Sequence, residues 1–252
     1  MAKLEHTLNR VRQIMTPWSM RRPPGHEEAH KAGTFLREVV FGANDGLVSN
    51  VSLVAGIAGG TANSNTVLLG GVAGLVAGAI SMALGAYIST KSESEFRDSE
   101  EARERWEIIH MPNEERAEIR QIFREKGLSG PTLDAVVDQI TANDDQWVRT
   151  MMQDELGFSD LPPRPVFAAA LMGGAFALSA FFPVVPYLFL DGNPALLASV
   201  GMTATALFGM GAWRAYLTNG KVWRKAIEMV GFAGVAVIAA NLIGRLVGIG
   251  IN

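Results

Sequence analysis

Five apolar tracts constrain this chain more than any other feature, because each approaches the roughly 20 residues that a helix needs to cross a hydrocarbon core of about 30 Å. They run over residues 35–60, 67–87, 166–190, 195–213 and 226–249. A hydrophobic fraction of 48% suits either one large soluble domain or a small membrane protein. The segmentation selects the second. A bilayer core offers no hydrogen-bonding partners, so each tract must satisfy its own backbone groups as a helix. The expected fold class is an all-α integral membrane protein: five transmembrane helices with a three-helix acidic cytosolic insert between spans two and three. The corresponding division is 1–33 a cytosolic amphipathic segment, 34–90 spans one and two, 91–162 the insert, and 163–252 spans three to five.

The run Phe41-Gly42-Ala43-Asn44-Asp45-Gly46-Leu47 places an ionisable residue near the middle of span one. A carboxylate at that depth costs about 2.5–3.5 kcal/mol on insertion scales, and intramembrane acids usually face a bundle interior or an aqueous path that carries protons or ions. The competing reading makes Asn44-Asp45-Gly46 a turn or broken-helix cap, its carboxylate accepting from local N–H groups. Span two carries Gly70, Gly74 and Gly78, then Ser81-Met82 and Gly85; Gly42/Gly46 and Gly56/Gly60 give span one a similar surface. Small residues at that spacing let membrane helices approach closely. Met82 would project into such an interface, either as a flexible gap filler or as a soft ligand for a transition metal. Pro183 and Pro186 should kink the end of span three, Trp213 and Tyr216 should close span four at an interface, and Asn241 and Arg245 read as an inter-helix hydrogen bond and a snorkelling cation.

Charge orients these spans. Residues 91–160 hold 18 of the 25 acidic residues and 9 of the 22 basic ones, a net −9, which leaves the rest of the chain at +6. Such an insert suits cations and gives no support to nucleic-acid binding. Arg21, Arg22, Lys31 and Arg37 precede span one, and Arg214, Lys221, Arg224 and Lys225 lie between spans four and five, while the links at 61–66 and 191–194 have no Lys or Arg. The positive-inside rule then puts the N-terminus and the insert in the cytosol and the C-terminus outside. The first thirty residues are charged throughout, so no cleavable leader is expected. Leu4, Leu8, Val11 and Met15 recur there at helical spacing until Pro23-Pro24-Gly25, as in a helix lying on a membrane surface. The chain has no cysteine, which excludes disulfides and thiolate metal sites.

Within the insert, Glu93, Glu100, Glu104, Glu107 and Met111 share one narrow helical face running down from span two, and Pro112 interrupts it. A second helix should start at Asn113 and stop before Gly127, with Glu115 and Glu118 beside Ile119 and Ile122 rather than opposite them. A third should follow Ser129-Gly130-Pro131 with a Leu133, Val136, Val137, Ile140 stripe, break at 141–144, and resume through Val148, Met151, Met152 and Glu155 until Gly157. Two readings stay open. Either the carboxylates bridge several divalent cations, with methionine sulfur biasing the site toward transition metals, or they pair with Arg103, Arg105, Arg116 and Arg120 in ordinary salt-bridged packing.

With Asp45-Gly46-Leu47, Ser81-Met82-Ala83-Leu84-Gly85 and a carboxylate-rich insert between spans two and three, the chain resembles the vacuolar iron transporter family from about residue 35 to its end. The resemblance implies that Asp45 and Met82 line an ion path, with Glu38 at an acidic position near its mouth. It implies metal ligation in the insert by Glu104/Glu107, Glu115/Glu118, Met151 and Glu155, with Glu100 and Met152 as additional candidates, and a homodimer whose path lies between subunits. Ala86 stands where many relatives are acidic. Val48-Ser49-Asn50-Val51 replaces a run that contains proline in plant and fungal relatives and looks more like bacterial members, so the expected location is a bacterial cytoplasmic membrane rather than a vacuole.

The expected function is export of Fe²⁺, or a similar divalent ion such as Mn²⁺, from the cytosol in exchange for protons, by a protein that is not an enzyme and holds no permanent cofactor. Two alternatives differ in class. A membrane-anchored di-iron carboxylate oxidase needs Glu-x-x-His motifs on two helices, and His110 is the insert's one histidine. A metal sensor or buffer would leave Asp45 without a purpose.

Overall fold

The computed structural model describes residues 26–159, 162–217 and 220–251, and every regular element among them is helical. The expected surface helix around Leu4 to Met15 lies outside the described residues. Two units separate, residues 1–37 and 38–252. Helix α1 covers His26–Gly60. It is followed by α2, Ser64–His110, then by α3, Pro112–Glu125, α4, Gly130–Thr141, and α5, Asp144–Thr150, which runs into a single π-turn, Met151–Glu155. Three helices complete the chain: α6, Pro165–Ala180, α7, Gly192–Leu217, and α8, Val222–Ile251.

The longest element explains how the insert is carried. Asn63 starts α2, its side chain accepting from the N–H groups of Asn65 and Thr66 at 2.9 and 3.3 Å, and no Gly or Pro breaks the helix between Gly85 and Pro112. Its 47 residues reach about 70 Å at 1.5 Å per residue, more than twice the thickness of a hydrocarbon core. Span two and the first insert helix, whose acidic face was expected to run down from span two, are therefore one continuous rod, longer than a hydrocarbon core is thick.

Four described helices are long and apolar enough to cross a membrane: Phe35–Gly60, Ser64–His110, Gly192–Tyr216 and Val222–Gly248. The third apolar tract behaves differently from the expectation of an equal span. It gives the 16-residue α6 and then a 3₁₀ turn at Val185–Leu188, because Pro183 and Pro186 cannot donate to the carbonyls one turn back. Past the end of α6 the N–H groups of Val184 and Tyr187 bond to Phe181 O and Val184 O, and the carbonyls they leave find side-chain donors: Ser199 Oγ donates to Pro183 O at 2.7 Å, and Asn50 Nδ2 to Ala180 O at 2.6 Å.

Small residues set the spacing of the bundle. A Cβ on Gly42 would sit 2.5 Å from Met172 O, and one on Gly46 would sit 2.5 Å from Phe176 O, so this face of α1 is pressed against α6. Gly244 and Gly248 of α8 meet the backbone of Gly56 and Gly60 in the same way. Asn241 Nδ2 donates to Ala55 O at 2.8 Å, joining α8 to α1. The Gly70/Gly74/Gly78 stripe is met by this chain's own Ile57, Leu53 and Phe176. What α2 leaves outward is a different, apolar row: Leu69, Val72, Val76, Ile80, Leu84 and Ile88.

The insert has its own core of Ile108, Ile119, Leu133, Val137, Ile140, Trp147, Val148, Met151 and Met152. Gly127, at φ 94°, ends α3, and Gly157, at φ 71°, ends the π-turn, both in the left-handed region that glycine enters without steric cost.

Candidate metal path and acidic cluster

Two sets of polar side chains stand out, one in the insert and one among the spans. In the insert, Glu104 and Glu107 from α2 and Glu115 from α3 offer carboxylate oxygens that all lie within 4.8 Å of one another. Carboxylate oxygens about 2.0–2.2 Å from a divalent transition ion can be at most about 4.4 Å apart across it, so a small inward movement completes a three-oxygen site. Glu104 is 1% exposed and Glu115 4%, and one oxygen of each, Oε2, is buried without a hydrogen-bond partner. A buried acceptor left that way is costly, and a cation satisfies it.

Electrostatics tie in two further acids. Burial pushes the Glu104 carboxyl up to about 6, reinforced by Glu155 and Glu107 and opposed by Arg103. Burial pushes Glu115 up to about 7, with Glu118, Glu104, Glu107 and Glu155 adding to it. Glu155 is raised by burial and then by Glu118. These charges repel in the absence of a cation, the condition under which a carboxylate cluster takes up either protons or metal.

The structure also separates the arginines. Arg105 pairs with Glu101 and Asp145, Arg116 with Asp138 and Arg120 with Asp134, all outside the cluster. Arg103 alone of the four sits among these acids, 3.0 Å from Glu100, 3.5 Å from Glu104 and 3.6 Å from Glu107, with its side chain half exposed. It holds part of the charge that an ion would neutralise. Glu100 thus reaches the cluster through Arg103. Met151 is fully buried in the insert core, where the π-turn hydrogen bond from Leu156 N–H to Met151 O, 3.2 Å, shifts the register by one residue. Met152 lines a separate cavity of about 350 Å³ together with Arg97, Arg105 and Arg149. Glu107 and His110 spell one Glu-x-x-His, but His110 stacks on Trp106 with its Nδ1 2.7 Å from Trp106 O.

Among the spans, a groove of about 260 Å³ is lined by Asp45, Ser49 and Asn50 of α1, Gly74, Gly78, Ser81 and Met82 of α2, and Phe176 of α6. Asp45 and Met82, 37 positions apart in sequence, open on the same space. The helix is unbroken from Phe41 to Asn50, so Asn44-Asp45-Gly46 is neither a turn nor a cap, and the Asp45 carbonyl accepts from Ser49 Oγ at 2.5 Å. Glu38, two turns earlier on α1, is buried. Asn50, which also lines the groove, carries no local signal beyond being a polar residue in an apolar span.

The model of the VIT family matches residues 36–245, which takes in both the groove and the insert. The chain belongs to the VIT family. Among proteins similar to this VIT-family chain, Vacuolar iron transporter 1 of Arabidopsis thaliana is 35% identical over 225 residues, covering 88% of this chain and 90% of that protein. Vacuolar iron transporter 1 of Eucalyptus grandis is 35% identical, with 85% and 88% covered, and that of Oryza sativa subsp. japonica is 35% identical, with 85% and 86% covered. These relatives are named as transporters, not enzymes, and with its span-length helices this VIT-family protein is an integral membrane protein.

Proposed function

We propose that this VIT-family protein exports Fe²⁺ or a similar divalent ion, Mn²⁺ included, from the cytosol in exchange for protons. The observation that carries the reading is the shared groove of Asp45 and Met82: a carboxylate and a thioether, a hard and a soft ligand, meet inside a span-forming bundle. The insert collects ions at Glu104, Glu107 and Glu115, with Glu118, Glu155 and Met151 completing the set and Glu100 and Met152 beside it. Glu38 lies ahead of Asp45 on α1. Asp45 then holds either a proton or the ion, and exchange of one for the other couples the two fluxes. In this reading α6 with its 3₁₀ turn is the fifth crossing, the N-terminus and residues 91–162 are cytosolic, and the outward row on α2 meets lipid or a second copy in a homodimer. The plant relatives carry "vacuolar" in their names; for this chain the Val48-Ser49-Asn50-Val51 run favours a bacterial cytoplasmic membrane.

Uptake of Mn²⁺ or Fe²⁺ into liposomes containing the full protein tests this. Asp45→Asn keeps the shape of the side chain and removes its titrating group, and it is expected to abolish uptake without unfolding the protein. Met82→Leu is expected to slow uptake or change the preferred metal. An Asp45→Asn protein that carries metal at the parent's rate contradicts the proposal.

A further inference from the structure

We infer that the side-chain oxygen of Asn50 is a metal ligand on this path, an assignment that rests on the transport reading above. Asn50 is 2% exposed, between buried Leu47, Val51 and Val54 on α1. The two ends of its amide have different surroundings. Nδ2 donates to Ala180 O at 2.6 Å. That carbonyl lost its helical donor where α6 ends, because Val184 N–H bonds to Phe181 O at 3.1 Å instead. A carbonyl can only accept, so the amide must present its NH₂ end to Ala180. The oxygen is thereby fixed on the other side. Oδ1 is buried and has no hydrogen-bond partner, and Asn50 lines the same groove as Asp45 and Met82. Across that groove stands Gly74, where a Cβ would come within 3.0 Å of Oδ1. Glycine there keeps a side chain from crowding the oxygen.

The position suits a step after Asp45. Five residues along α1 correspond to about 7.5 Å toward Gly60, so an ion leaving the carboxylate in that direction meets Asn50 next. A neutral amide oxygen replaces a hydration water without holding the ion as a carboxylate does, and a path needs sites weak enough to release their ion. Its hardness also sets selectivity. With Met82 supplying a soft sulfur, Oδ1 tips the groove toward harder ions such as Mn²⁺.

The test is initial-rate uptake of Mn²⁺ and of Cd²⁺ by the full protein in liposomes, for the parent, Asn50→Leu and Asn50→Asp. Asn50→Leu is expected to raise the KM for Mn²⁺ by about 10–100-fold and the KM for Cd²⁺ far less. Asn50→Asp puts a charged oxygen toward the groove in place of the neutral one, and it is expected to lower the KM and the kcat for Mn²⁺ more than for Cd²⁺, because a carboxylate holds the harder ion and releases it slowly. Equal losses for both ions in Asn50→Leu, or no change in either, overturn the assignment and leave the amide serving Ala180 alone. If Asn50→Leu does not assemble, Asn50→Asp decides: a change in the Mn²⁺ kinetics relative to Cd²⁺ supports the ligand, and an unchanged ratio overturns it. A parent that carries neither ion overturns the transport reading and this assignment together, whereas a parent that carries both while Asn50→Leu keeps their ratio overturns only the assignment.

Discussion

Glu115 and Glu104 bind their protons more tightly in the folded insert, at about 7 and about 6, than the ordinary value of 4.5 that applies when the chain is unfolded. Between those values the folded state carries protons that the unfolded state has lost, so stability falls as pH rises. What these groups contribute is fully present below about pH 4.5 and lost by about pH 7. Metal-free protein should therefore unfold more readily in denaturant as pH is raised through this window, divalent metal should reverse the loss, and Glu115→Gln should flatten the dependence. A metal-free insert equally stable across the window contradicts the assignment of the shifts. The face shared by Glu104 and Glu107 is legible in their spacing, since residues three apart stand together on a helix. The depth of burial is not. Nor are the distant partners of Arg105, Arg116 and Arg120, which lie 40, 22 and 14 positions away, or that of Asn50, which lies 130 away.

Helix boundaries inside the insert follow local chemistry: Gly127, Gly130 and Gly157 mark them in sequence and structure alike, while α3 begins at Pro112 with Met111 before it rather than at Asn113 as a cap. Two elements follow rules that a count of apolar residues does not contain. The α2 rod ignores the change from apolar to acidic composition, because helical geometry depends on the absence of breakers rather than on polarity. The tract at 166–190 is long enough to span, yet its prolines end α6 at Ala180. Glycine stripes show close packing but not its partner: Gly46 faces α6, and Gly74 faces Leu53 of the same chain. Gly46→Ala would bring a Cβ within 2.2 Å of Ser179 Oγ and 2.5 Å of Phe176 O and should destabilise the bundle by about 1–3 kcal/mol. Gly85→Ala meets nothing within 4 Å and should be neutral, or stabilising by up to about 1 kcal/mol through helix propensity. Thermal unfolding in detergent compares them, and equal effects would show that α1 and α6 are not pressed together at Gly46.

At the scale of the molecule, a carboxylate-rich insert stands on the same rigid helix that carries Met82 into the groove opposite Asp45. Membership of the VIT family covers both parts, and the central claim is that metal moving one way through the groove is exchanged at Asp45 for protons moving the other. The most direct measurement records internal pH and metal uptake together in liposomes holding the full protein, with and without an imposed pH gradient. The account predicts that metal entry drives proton exit, that a gradient acidic inside accelerates uptake, and that Asp45→Asn abolishes both signals. Metal uptake at the same rate with and without the gradient, and with no change in internal pH, would contradict it.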